Sequence, residues 1–61
     1  MDIIKKITEE AREIFMKSAK ECGNKEYVDL FSIIANVMLD NGLRPDEDTV
    51  NDIYFTIKQQ W

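Results

Sequence analysis

From Tyr27 to Leu39 the chain reads YVDLFSIIANVML, ten apolar residues in thirteen. The three exceptions, Asp29, Ser32 and Asn36, are spaced by three and four residues. That spacing gathers them on one polar stripe of an α-helix buried over most of its circumference. Before this stretch, Ile3, Ile4, Ile7, Ala11, Ile14, Phe15, Ser18, Ala19 and Cys22 fall within an arc of roughly 160° at about 100° per residue. After it, Val50, Ile53, Tyr54, Ile57 and Trp61 mark a single narrow apolar stripe. Three helices are predicted, and no segment alternates with the period of two that a half-buried strand requires.

The punctuation between these segments sets the expected boundaries. Asp2 can cap the first helix and Gly23 supplies the left-handed residue that closes it, giving helix 1 over about residues 2–22. Asn24 offers a side-chain acceptor to the free amides of the next element, so helix 2 is expected from 24 to about 41 after a connection of two or three residues. So short a loop makes helices 1 and 2 antiparallel neighbours. Gly42 followed by Leu43 has the form of a Schellman end, with Leu43 folding back on the last turn. Arg44 with Pro45 at the first helical position, or Asp46, could begin helix 3. The acids Asp46, Glu47 and Asp48 favour Asp46, because negative charge is stabilised at a helix N-terminus, and place helix 3 at about 46–60. The expected fold is all-α, a single domain built as a small antiparallel three-helix bundle with helix 2 central and in contact with both others.

Composition narrows the class. Sixty-one residues provide one small core, since a chain of this size buries only about 60% of its unfolded surface. A hydrophobic content of 44% is nonetheless well above that of disordered segments. The single cysteine rules out an intramolecular disulfide. Charges are interleaved with apolar residues in MDIIKKITEEAR, unlike a signal peptide, and no apolar run approaches the roughly 20 residues of a membrane span. These features predict a cytoplasmic protein.

Candidate chemistry is sparse. The chain has no histidine, so the commonest general base, the histidine-activated nucleophiles and the imidazole metal ligand are missing, and the expectation is a protein that is not an enzyme. Cys22 sits on the apolar face of helix 1 near its C-terminus, where the helix dipole disfavours a thiolate; it is expected to be a buried or half-buried structural thiol. The acidic segment DNGLRPDEDTVND fails the EF-hand register: counting from Asp40, an EF-hand needs glycine at position 6 and glutamate at 12, where this chain has Pro45 and Asn51. No cofactor or metal is expected, and no polar constellation identifies a small-molecule pocket between helices.

Helices 2 and 3 with their short glycine-containing turn have the outline of a helix-turn-helix. In that motif the start of the second helix approaches the major groove with basic residues alongside; here it carries three consecutive acids, and the net charge is −4. Both facts argue against nucleic acid as partner and against anionic lipid. A nucleic-acid-linked regulator would have to use the basic residues of helix 1, and clustering of Lys5, Lys6, Lys17 and Lys20 away from acids would be its mark.

The signal that exceeds a monomeric bundle is apolar width. The apolar positions of helix 2 run from Ile33 through Val37, Leu30, Ile34, Tyr27, Phe31 and Ala35 to Leu39, an arc of roughly 240°. Two neighbouring helices do not readily cover that. Phe55 lies about 140° from Val50 in helix 3, and Met16 a similar distance off the face of helix 1. The chain therefore reads as a small interaction or regulatory protein that presents a hydrophobic helix face to itself, as a homodimer, or to another protein. The candidate interface residues are Met16, Leu30, Ile33, Val37, Phe55 and Trp61.

Overall fold

The computed structural model describes residues 2–60. They form three α-helices: α1 over Ile3–Cys22, α2 over Leu30–Asp40 and α3 over Glu47–Gln59, with no strand among the described residues. Every pair of helices is in contact, so α2 touches both others, as do α1 and α3.

The first helix begins where Asp2 accepts a hydrogen bond from the Ile4 amide at 3.0 Å. It ends at Gly23, whose φ of 78° is open to glycine and strained for other residues. Ile7, Ala11, Phe15 and Ala19 are its buried residues, successive members of one i, i+4 row. At 1.5 Å per residue the twenty residues of α1 run about 30 Å, close to the longest extent of the molecule, 31 Å. The stretch from Ile7 to Ala19 covers only about 18 Å, which is the length that the shorter α2 and α3 can face. Ile3, Ile4 and Cys22 at the ends of α1, and Ile14 in its middle, are exposed although they lie on the apolar arc. Cys22 is thus not the buried structural thiol that its place on the helical wheel suggests.

The second helix begins later than the sequence suggests. Asn24 does cap, accepting from the Glu26 amide at 2.9 Å, but what it starts is a single 3-10 turn over Lys25–Tyr27. Val28 is then extended, and Asp29 makes a second cap, its carboxylate accepting from the Ser32 amide at 3.2 Å and the Ser32 hydroxyl at 2.8 Å. The connection between α1 and α2 is therefore the segment 23–29 and not a turn of two or three residues. Tyr27 falls outside α2 and is 80% exposed, which removes one member from the apolar arc expected of that helix.

The end of α2 is a Schellman motif around Gly42, with the Leu43 amide donating to the Met38 carbonyl at 2.8 Å and the Gly42 amide to the Leu39 carbonyl at 3.0 Å. Leu43 packs back onto the core that contains Met38. Asp46, and not Arg44, caps α3, accepting from the Thr49 amide at 3.3 Å and its hydroxyl at 3.1 Å. One core results: Ile7, Ala11 and Phe15 of α1, Leu30, Ile34, Val37 and Met38 of α2, and Ile53 and Ile57 of α3. Polar contacts fasten its margin. Asn41 donates to Glu10 across the α1–α2 seam at 3.3 Å, and Arg12 donates to Gln60 just beyond α3.

Candidate functional site

The six interface residues expected from sequence separate into different environments. Leu30 and Val37 are buried in the core, at 3% and 2% exposure, and so hold the three helices together rather than facing a partner. Ile33 is half-buried and packed against that core. The unspent edge expected at Ile33 and Val37 is thus largely consumed within the chain. Met16 and Phe55 are exposed, at 44% and 58%. Trp61 lies outside the described residues.

Exposed apolar side chains lie on α1 (Ile3, Ile4, Ile14 and Met16), at Tyr27 and Leu39, and in a contiguous aromatic group where α2 meets α3. Phe31, in the first turn of α2, lies flat on Tyr54 of α3, with ring centroids 4.2 Å apart and planes 8° from parallel. Tyr54 meets Phe55 edge to face at 5.5 Å and 79°. The Lys58 ammonium stands 5.6 Å from the centre of the Tyr54 ring, within reach of the electrostatic attraction between a cation and a π face. Phe31 is 45% exposed even in this stack, so the three rings form a partly solvated ridge.

A groove opens on each side of that ridge, and Phe31 lines both. The larger, about 770 Å³, runs along the connection between α1 and α2, where Val28, Leu30, Phe31 and Tyr54 supply apolar walls and Lys25, Glu26, Asp29 and Lys58 the charges. The second, about 510 Å³, lies between α2 and α3 and is bounded by Phe31, Ala35, Pro45 and Val50, with Glu47 as its one ionisable side chain. Met16 belongs to a third and smaller recess at the end of α1, lined also by Ala19, Lys20 and Lys25. The structure therefore does not bring Met16 and Phe55 together into one surface.

The local sequence explains this geometry. Because Asp29 caps α2, Phe31 falls in the first turn, where it reaches past the end of the core to the second half of α3. The Asp29 carboxyl is held below the usual carboxylate range, first by the Ser32 hydroxyl and then by the Ser32 amide. Ala35, one turn after Phe31, is too small to fill the space beside it, and the second groove results. The apolar arc of the sequence included Phe31 and Ala35, but their pairing with Tyr54 and Val50 is a tertiary fact that helical spacing alone does not express.

Among the described residues no three of His, Cys, Asp and Glu are grouped to hold a metal ion, and no buried side-chain nitrogen or oxygen lacks a hydrogen-bond partner. Lys6, one of the basic residues of α1, lies 3.9 Å from Glu10. No described helix is long and apolar enough to cross a membrane. The surface offers apolar area, aromatic faces and a rim of charge, the ingredients of recognition by docking. No family model, curated protein or solved structure matches the chain.

Proposed function

We propose that this chain is a small, non-enzymatic interaction or regulatory protein of the cytoplasm that presents an apolar helix surface to a protein partner, either a second copy of itself or a different protein. The observation that carries this reading is the contiguous stack of Phe31, Tyr54 and Phe55, with Phe31 and Phe55 exposed and Phe31 bordering two grooves. Aromatic side chains are common anchors at interfaces because they bury a large area with few rotatable bonds.

The reading includes an antiparallel bundle with α2 between its neighbours. Two cross-helix contacts support it: Phe31 at the start of α2 meets Tyr54 in the second half of α3, and Asn41 just past α2 meets Glu10 in the first half of α1. The test is co-purification from the native host with wild type, Phe31→Asp and Phe55→Asp, each checked for helicity by circular dichroism. Proteins retained by wild type and lost from both folded variants are the expected result. Identical retention by all three would remove the aromatic ridge from any role in binding.

A further inference from the structure

We infer that the groove between α2 and α3 receives a basic amphipathic helix from another protein, rather than a second copy of this chain. This rests on the interaction reading above and names the partner's chemistry. Charge divides unevenly along the molecule. Residues 2–28 contain six acids and six bases, so the α1 half is neutral. Residues 29–60 contain six acids, Asp29, Asp40, Asp46, Glu47, Asp48 and Asp52, against Arg44 and Lys58, so the whole net charge of −4 belongs to the half that carries the groove.

The acids are also placed unevenly. Glu47 lines one end of the groove, and Asp46 and Asp48 flank it in the same turn of α3. Lys25, Glu26, Asp29 and Lys58 line the neighbouring groove, which shares Phe31 with this one. The groove is thus apolar along Phe31, Ala35, Pro45 and Val50 and negative at the start of α3. Two copies docked through this groove would bring Glu47 and its neighbours Asp46 and Asp48 near the same acids of the second copy, a like-charge arrangement that electrostatic complementarity selects against. A partner helix with apolar residues at spacings of three and four, and lysine or arginine beside them at one end, satisfies both the walls and the rim. The groove is lined by residues 31–35 of α2 and 47–51 of α3, about one and a half turns of each helix.

The test uses the full chain, immobilised, and a phage-displayed library of helix-forming peptides about three turns long with all other positions randomised. Selected peptides are then titrated by calorimetry and mapped by amide chemical shifts. The expected binders carry apolar residues at helical spacing and a net positive charge, and they shift the amides of Phe31, Ala35, Glu47 and Asn51. Their Kd should rise roughly tenfold or more with Ala35→Arg, which fills the groove and adds a positive charge, and several-fold with Glu47→Gln. Ala35 and Asn51 are both half-buried, so Asn51→Arg provides a second, independent block at the opposite wall, and both variants are first checked for wild-type helicity. Neutral or acidic peptides that map to the same residues would overturn the basic partner while leaving the interaction surface in place. Absence of any binder mapping to the groove would overturn the basic partner, and the same absence together with unaltered co-purification by Phe31→Asp would remove the interaction surface as well. A dimer in sedimentation that Ala35→Arg dissociates would assign the groove to a second copy and refute the inference.

Discussion

Replacing Ile34 should cost this protein a large share of its stability, whereas replacing Ser32, two residues earlier on the same helix, should cost little. Ile34 is fully buried and belongs to the core shared by all three helices. Ile34→Ala deletes three carbon groups, worth about 2.4 kcal/mol in transfer alone at about 0.8 kcal/mol each, and the cavity left behind brings such changes to about 2–5 kcal/mol. A chain of 61 residues has in total only about 3–9 kcal/mol of stability at typical values per residue. Ile34→Ala is therefore expected to unfold a substantial fraction of the molecules in buffer. Ile34→Val, at about 0.5–1.5 kcal/mol, keeps the transition measurable. Ser32 is exposed, and its hydroxyl bond to Asp29 is replaceable by water, so Ser32→Ala should stay within about 0.5 kcal/mol. Urea unfolding followed by far-ultraviolet circular dichroism separates the three. With a slope near 1 kcal/mol per molar urea for so small a protein, Ile34→Val should lower the midpoint by roughly 0.5–1.5 M. Equal midpoints for Ile34→Val and Ser32→Ala would mean that the face of α2 turned to the core has been misassigned.

Asp46→Ala should destabilise α3 by about 0.5–2 kcal/mol, the usual cost of losing an N-cap, and an unchanged urea midpoint would return the cap to Arg44. The second cap brings a dependence on pH. Because the Asp29 carboxyl is lowered in the fold relative to its ordinary value, its contribution is complete above that ordinary value and is lost as pH falls through the lowered one. Asp29→Asn should therefore flatten the acid limb of a plot of stability against pH, and an unaltered limb would show that the cap bonds do not distinguish the ionised carboxyl. Sedimentation at micromolar concentration should give a monomer of 7.2 kDa, since the edge at Ile33 and Val37 is already packed and the remaining apolar face is acidic; a stable dimer would contradict this.

Much of the fold is legible because it is specified by local chemistry. The caps at Asp2 and Asp46 and the closures at Gly23 and Gly42 each depend on residues within five positions of one another, and the structure realises all four. The start of α2 is less legible because two capping residues, Asn24 and Asp29, stand five apart. The apolar pair Tyr27–Val28 between them continues the helical pattern although the backbone does not. The signal was present in Asp29 and Ser32, an N-cap residue three positions before a hydroxyl, which equally well forms the polar stripe of a longer helix. The exposure of Cys22, Ile3 and Ile4 could not be read from periodicity at all. A helical wheel records direction around the axis, while burial at the ends of α1 is decided by how far α2 and α3 extend along it. The burial of Leu30 and Val37 has a related reason. Leu30 and Val37 share the apolar arc with Phe31 and Ala35, and only the position of α3 determines which pair is covered and which borders a groove.

The acids at the start of α3 connect this local chemistry to the proposed binding role. One capping carboxylate, that of Asp46, suffices to occupy the Thr49 amide, and Glu47 and Asp48 add only the favourable interaction of exposed charge with the helix dipole, about 0.3–1 kcal/mol each. A half-charge of dipole cannot neutralise three carboxylates, so most of the negative potential remains at the mouth of the groove. Stability and recognition therefore make different demands on Glu47. Glu47→Gln should leave the unfolding free energy within about 1 kcal/mol of wild type, yet weaken binding of a basic helix several-fold and reduce its salt dependence. If Glu47→Gln instead lowered stability as much as Asp46→Ala while leaving the affinity for a cationic peptide unchanged, the acidic rim would be a capping device alone, and the charge of the α2–α3 half would have no part in choosing a partner.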